Sequence, residues 1–510
     1  RGDGAELEDK PDILEGDKRF SNPLWKTHPY FRYIKEQYAL NAQSIQSAIG
    51  DVDDLDPKEK RRLDYFAHQI IDMMSPTNFL GTNPDALERA VETEGASLVT
   101  GLENLIADLE ANKGELVVRL ADETSFVLGE NIATTPGEVV YRNRMMELIQ
   151  YTPTTEEVHA TPLIIFPPWI NKFYILDLKA QNSMIKWLAD QGYTLFVVSW
   201  INPDASYADV GLDEYIEEGF LTAISEVKAI TGEKQVNTVG YCIAGTTLHL
   251  TLALLEKRGD KSIKSATFFT ALTDFSEQGE FTPFLQDDFI DAIEQEVAQQ
   301  RLLRSFIMSR TMSVLRSKDL VYQPAVKSYM MGETPPAFDL LYWNGDGANL
   351  PGRMTMQYLR GLCQRNEFIE GGFEILGEKL HISDVKVPLM AITCQTDHIA
   401  AWKDCYRGFQ QTSSKDRTFI VSESGHIAGI VNPPSKKKYG HYTNDDLSLS
   451  PDDWLEGAAF NEGSWWPRWE SWLKKRSGKM IPARQPGDSD HPPLAPAPGT
   501  YVRIKASDGF

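Results

Sequence analysis

Basic side chains are under-represented in this 510-residue chain: 51 Lys and Arg stand against 73 Asp and Glu, a formal net charge of −22. That deficit argues against a nucleic-acid binder, which needs a basic face for phosphate contacts. It does not exclude a small anionic ligand, because a local cluster can oppose the overall field. The first 130 residues hold 26 acidic and 14 basic side chains, read as a solvated acidic surface. Cysteine is sparse too: Cys242, Cys363, Cys394 and Cys405, none spaced C-x-x-C. A chain this long needs no disulfide framework, and scattered cysteines do not make a zinc site. No apolar run approaches the roughly 18 residues of a membrane span, and no signal-peptide pattern is present. The expectation is a soluble protein of a reducing cytoplasm without a transmembrane segment. H-E-x-x-H, G-x-x-x-x-G-K-[ST] and G-x-G-x-x-G are all missing, so neither a metal nor a nucleotide cofactor is expected. The chain has no internal repeats. It begins Arg1-Gly2-Asp3 rather than with Met, and is read as a fragment or processed form.

What is present supports a large core: 42% hydrophobic and 10% aromatic residues. Residues 1–22 are polar and read as flexible. Residues 23–114 read as a helical domain. Tyr30, Ile34 and Tyr38 recur at helical spacing, as do Leu63, Phe66, Ile70 and Met73, the latter predicting a packed face. Asn83-Pro84 signals a further helix using Leu87, Val91, Leu98, Leu102, Leu105 and Leu109, broken near Gly95. From about residue 115 strands are expected, at 115–120, 125–128, 138–141 and 146–150. Apolar strands at 161–166, 194–199, 236–239 and 263–272 then alternate with helices, the signature of a parallel sheet covered on both faces. Alternation stops over 275–380, read as an inserted cap within a catalytic domain spanning 115–510, with Tyr342 and Trp343 available to exclude water. Strands resume at 387–394 and 418–422. The four tryptophans of GSWWPRWESWLKKR can pack a helix onto the core, and the Pro-rich stretch 482–498 reads as extended.

The chain is organised around VNTVGYCIAGTT, 236–247. An apolar strand, a sharp turn among small residues and a helix start form a nucleophile elbow with Cys242 in the usual Ser position. A thiol there sits at a helix N-terminus, which favours the thiolate that attacks acyl carbonyls. Ile243 N–H would face the oxyanion, and the loop after 163–166 would add a second donor at Trp169 or Ile170, because prolines have no N–H. Asp397 follows one late strand and His426 the next, giving Cys, Asp and His in the chain order of α/β-hydrolase triads. Gly425 would free the turn that carries His426. His398 is the rival base, while His249 is expected in the core or on the surface.

These segments also resemble a known family. GYCIAGT at 240–246, FPPWINKFYILDL at 166–178, FVVSWINPD at 196–204, SPTNFLGTNPD at 75–85, FDLLYWNGD at 338–346, QTDHIAAW at 395–402, SGHIAGIVNPP at 424–434, GSWWPRW at 463–469 and PAPGTYV at 496–502 are similar to the polyhydroxyalkanoate synthases, with overall features like class I. One departure is Ala244, where the elbow commonly carries Gly. The resemblance implies an α/β-hydrolase-type, mostly parallel sheet with a cap subdomain and an N-terminal helical domain. It implies polymerisation of (R)-3-hydroxyacyl-CoA, such as 3-hydroxybutyryl-CoA, into polyester, with release of coenzyme A, which is a product and not a cofactor. Cys242 would be the nucleophile, His426 the base and Asp397 the acid. It also implies a homodimer associated with cytoplasmic storage granules and the growing polyester chain. Because coenzyme A is anionic, Lys172, Arg353, Arg407 and Lys436 to Lys438 are candidates for its approach, with Asp177 and His398 nearby in the matching segments. The competing readings are a Cys-dependent thioesterase or hydrolase of the same fold, a class II synthase using medium-chain monomers, and a non-catalytic granule protein.

Overall fold

A computed structural model describes residues 14–509, which fall into two compact units. One comprises residues up to Asp122 together with Arg310–Pro336, and the other comprises Glu123–Ser309 and Ala337 onward. Among the described residues, no helix is long and apolar enough to cross a membrane.

The larger unit is built on an eleven-stranded sheet. Its strands are β1 Gly137–Arg142, β2 Met146–Tyr151, β3 Leu163–Phe166, β4 Leu195–Trp200, β5 Val236–Tyr241 and β6 Ile263–Phe269. They continue with β7 Leu389–Cys394, β8 Arg417–Ser422, β9 His441–Thr443, β10 Ala459–Asn461 and β11 Ala495–Pro496. The spatial order is β10-β9-β8-β7-β6-β5-β3-β4-β2-β1-β11. From β8 to β4 every pair is parallel, and the flanking pairs are antiparallel. Every residue of β3, β4, β5 and β7 is buried, as central strands covered on both faces require, and the polar Asn237 and Thr238 of β5 are hydrogen-bonded to Ser265. One face packs Phe166, Phe220 and Leu248; the other packs Ile165, Val239 and the tryptophans of helix Trp466–Lys474.

The chain runs from β3 outward to β4, then returns to lay β5 against the other side of β3. That reversal opens a crevice beyond the carboxyl ends of β3 and β5, where Phe166 pairs with Gly240. The expected elbow lies directly beyond it.

The smaller unit packs helices Pro29–Gly50, Pro57–Met73, Pro84–Glu92 and Ala96–Ala111. Asp56 and Glu59 close a reciprocal capping box at the start of the second helix. Arg310–Pro336, the middle of the stretch expected as a cap, belongs to this unit. The pairing is close: a Cβ on Gly101 would lie 2.0 Å from the Tyr329 carbonyl oxygen. Asp108 accepts from the Tyr329 hydroxyl at 2.7 Å and pairs with Arg119. That ion pair holds the 115–120 stretch, expected as a strand, in irregular structure; 125–128 forms no strand beyond a bridge from Leu128 to Ile132.

Of the expected flexible segment, residues 1–13 lie outside the described residues. The remainder is held: Arg19 is buried between Asp17 and Asp72, and Phe20 packs on Trp25 and Tyr38. The face predicted to pack on helix Pro57–Met73 does not bury. Phe66, Ile70 and Met73 are 47%, 46% and 51% exposed, whereas Ala67, Ile71 and Asp72 are buried. The inward side is rotated by one residue, because Asp72 is drawn in to bond Ser317 at 3.0 Å.

Candidate active site

Gly240 and Gly245 let the elbow fold. A Cβ on Gly240 would meet Gly245 Cα at 2.7 Å, and one on Gly245 would meet Ala271 Cβ at 2.6 Å. The close approach of helix to strand therefore rests on these two glycines, and Ala244 is accommodated fully buried. Between them Cys242 is held at φ 54° and ψ −124°, a strained conformation for a residue with a side chain. Its amide donates to the Phe269 carbonyl at 2.8 Å, and its own carbonyl accepts from Gly245 N at 2.8 Å and Thr246 N at 3.1 Å. Ile243 is the first residue of helix Ile243–Lys257, so its N–H has no carbonyl within the helix to donate to. All four thiols are free; Cys242 is half-buried, and the other three are buried. Burial pushes Cys363, Cys394 and Cys405 above the ordinary thiol range.

The structure brings Asp397 and His426 to this elbow. Asp397 Oδ1 accepts from Ile399 N and Ala400 N, both at 2.8 Å, and Oδ2 lies 2.6 Å from His426 Nδ1. With Nδ1 engaged by Asp397, Nε2 is the ring nitrogen left for the Cys242 side, and the Cys242 sulfur is among the groups that raise the imidazole pKa. Burial pulls the imidazole pKa down, but the Asp397 carboxylate and the Cys242 sulfur outweigh it and raise it to about 10. His398 is half-buried beside Asp397, and His426 is the histidine seen 2.6 Å from the Asp397 carboxylate.

The turn carrying His426 differs from its expected form. Gly425 is uncrowded, with nothing nearer than 3.7 Å to an added Cβ. The left-handed residue is Ser424, at φ 76°. The glycine that cannot be replaced is Gly429, where a Cβ would lie 2.5 Å from Cys394 Sγ. Trp465 Nε1 donates to Gly429 O at 2.8 Å and Trp466 Nε1 to Ile430 O at 2.9 Å, so two buried indoles brace the segment just after His426.

Two tyrosines near the sulfur escaped the sequence reading. Tyr241 donates its hydroxyl to the His426 carbonyl at 3.0 Å, tying the His426 turn to the strand that leads into Cys242. Strand alternation places Tyr241 opposite in facing to Gly240, which was the available signal. Tyr358, on the helix Gln357–Gln364, has its hydroxyl pushed well above the ordinary range by burial, and next by charge on Cys363 and Cys242. Only the fold brings it there.

The loop after β3 is fixed from below. Ile170 O accepts from Ala348 N at 2.9 Å, Asn171 bridges Gly347, and Trp169 is buried against Tyr215 with ring centroids 4.3 Å apart. Trp343 is buried and donates to Lys172 O at 2.7 Å; Tyr342 is half-buried beside Phe126 and Tyr174.

The residues expected around coenzyme A divide sharply. Lys172 is buried, donates to Ile504 O at 2.6 Å and Val502 O at 3.3 Å, and has its pKa lowered by burial to about 8. Asp177 is buried on Thr135 and Ser183, each at 2.6 Å, and burial raises its pKa. Both positions are structural ties within the protein rather than a surface open to ligand. Arg353 pairs with Asp213 and Glu214 at 3.3 Å, and Arg407 pairs with Asp404.

A strand, a left-handed turn at Cys242, a helix and a carboxylate–imidazole pair that follows β7 and β8 are the arrangement of the α/β-hydrolase class, with a thiol at the turn. Residues 161–433 match the α/β hydrolase fold family, and residues 16–188 match the family described as "Poly-beta-hydroxybutyrate polymerase (PhaC) N-terminus". The chain is 42% identical to the poly(3-hydroxyalkanoate) polymerase of Methylorubrum extorquens, over 96% of this chain and 81% of that one. It is 38% identical to the poly(3-hydroxyalkanoate) polymerase subunit PhaC of Rhizobium meliloti, over 99% and 82%. Against the corresponding subunit of Cupriavidus necator the identity is 39%, over 96% and 83%. The chain belongs to the poly(3-hydroxyalkanoate) polymerase family and is an enzyme, an acyltransferase of polyhydroxyalkanoate biosynthesis.

Proposed function

We propose that the enzyme polymerises short-chain (R)-3-hydroxyacyl-CoA, such as 3-hydroxybutyryl-CoA, through a thioester on Cys242. What supports this reading is the left-handed turn at Cys242, at φ 54°, together with the His426 imidazole that lies 2.6 Å from Asp397. His426 takes the Cys242 proton, and the thiolate attacks the acyl carbonyl. The carbon–sulfur bond to coenzyme A breaks, and coenzyme A leaves with the proton from His426. The 3-hydroxyl of a second unit then gives its proton to His426 and attacks a Cys242-bound acyl group. An ester forms and the thiol is restored. Ile243 N–H and Ile170 N–H serve as oxyanion donors in both steps. Asp397 serves the histidine rather than the hydroxyl, since both of its oxygens are already engaged.

A thiol suits this exchange. Acyl transfer from one thioester to another is nearly isoenergetic and leaves the acyl group activated towards an alcohol, whereas a Ser ester would be a deeper well. The enzyme works in the cytoplasm at the surface of the growing polyester granule, as a homodimer. The test is thiol release from three-, four- and eight-carbon 3-hydroxyacyl-CoAs beside Cys242→Ala. Release with insoluble polymer is expected on the shorter substrates and none from the variant. Free hydroxy acid without polymer would instead identify a thioesterase, and equal release from the variant would discard the mechanism.

A further inference from the structure

Coenzyme A carries its phosphates at the far end of the pantetheine arm from its sulfur. Groups that hold them therefore stand on the surface beside the Cys242 crevice, not within it. Three cations expected there are engaged: the Lys172 ammonium on two main-chain carbonyls, Arg353 on Asp213 and Glu214, and Arg407 on Asp404. Lys436, Lys437 and Lys438 differ. All three are exposed, and among the described residues none pairs with a carboxylate.

These lysines sit on the loop between the His426 turn and β9, and that loop is tied to the turn repeatedly. Asn432 Nδ2 donates to Tyr439 O at 2.9 Å. Gly440 N donates to the Glu423 carboxylate at 2.7 Å, and Glu423 N donates to Gly440 O at 2.9 Å. Lys438 and Ser424 beside it lower the pKa of the Tyr439 phenol, and Ser424 lies just ahead of His426. The Lys438 ammonium also lies 4.9 Å from the Tyr439 ring centre. Pro433 and Pro434 stiffen the start of the loop, and Lys437 closes the turn Pro434–Lys436 at φ 48°. The loop is thus pinned to the element that carries the base, and three consecutive cations are displayed on it in a chain whose net charge is −22.

We infer that Lys436, Lys437 and Lys438 form the landing site for the 3′-phospho-ADP end of the acyl-CoA substrate. This rests on the acyl-CoA reading above and adds the residues that discriminate coenzyme A from a simpler thiol. Ammonium groups act here as point charges on a polyphosphate, so their effect falls with ionic strength.

The test compares 3-hydroxybutyryl-CoA with the N-acetylcysteamine thioester of the same acid, which has the reacting end and no phosphates. In the triple variant Lys436→Gln, Lys437→Gln, Lys438→Gln, the KM for the CoA thioester is expected to rise about tenfold and lose much of its salt dependence. The KM for the truncated thioester should move by less than about twofold, within the scatter of an exposed substitution. If the triple variant fails to fold, Lys437→Glu alone gives the same split. Inhibition of the wild-type enzyme by adenosine 3′,5′-bisphosphate, competitive against the CoA thioester, would support the site. An unchanged KM for the CoA thioester, or a rise shared by both thioesters, overturns it while leaving the polymerase reading intact. A wild-type enzyme that turns over neither thioester overturns both.

Discussion

The stretch 236–247 and the helix Pro57–Met73 both carry regular apolar patterns, yet they meet opposite fates. Every residue of β5 is buried, and the first thirteen residues of the helix behind it are buried as well. On Pro57–Met73 the patterned residues Phe66, Ile70 and Met73 stay about half exposed. A central strand of a parallel sheet has neighbours on both sides and layers on both faces, so no choice of face remains. A helix has a continuous choice, and a single buried carboxylate can rotate it: Asp72, bonded to Ser317 and near Arg19, turns Ala67 and Ile71 inward instead. Burial of an apolar side chain is an outcome of partners, and only the sheet's partners are implied by its own pattern.

Substitutions in the two regions sharpen this contrast, beginning with the site. Asp397→Asn should lower kcat about a thousand- to ten-thousandfold with little change in KM, because the imidazole loses the group that fixes its tautomer and supports its charge. Steady-state kinetics reads this directly. The same variant tests a pH effect. The folded-state pKa of His426, about 10, lies above its ordinary value of 6.5, so the protonated form stabilises the fold. That contribution is complete below pH about 6.5 and is lost as pH rises towards about 10. The stability gap between wild type and Asp397→Asn in urea titrations should therefore narrow across that window; a widening gap would reverse the assignment of charge.

Next in size is Trp465→Ala, which removes a fully buried indole and its bond to Gly429 O. It should cost about 3–5 kcal/mol of stability. Thermal or denaturant unfolding would measure it, and a loss below about 1 kcal/mol would mean the brace behind His426 is dispensable. Tyr241→Phe deletes only the bond to the His426 carbonyl. About 1 kcal/mol of stability should go with it, and kcat should fall several-fold as the base loosens. The smallest effect belongs to the helical unit: Phe66→Ser should shift stability by no more than about 0.5 kcal/mol. A loss like that of Trp465→Ala would show that Phe66 is covered, and the contrast with β5 would collapse.

Much of the fold and the chemistry at its centre was legible in the residues. The alternation of apolar strands with helices predicts the parallel block, and each predicted strand from 161 onward lies within a few residues of an observed one. Cys242, Asp397 and His426 stand out because each follows such a strand. What failed to show was contact between distant segments. Arg310–Pro336 reads as part of a cap because it interrupts the sheet, yet its partner is helix Ala96–Ala111. Lys172 reads as a surface cation, yet its ammonium lies under the carbonyls of Val502 and Ile504, more than three hundred residues onward. Gly425 reads as the pivot of the His426 turn, whereas Ser424 takes the left-handed backbone and Gly429 the tight space against Cys394.

The sequence by itself determined the elbow, the chain order of thiol, acid and base, and the parallel sheet that carries them, because spacing along one segment encodes periodicity and strained turns. Tertiary structure alone decided which ring nitrogen of His426 meets Asp397, which tyrosine bonds the His426 carbonyl, which indoles brace the segment after it and which carboxylates take up Arg353 and Arg407. Those depend on distances across segments far apart in the chain, and no local pattern carries such a distance.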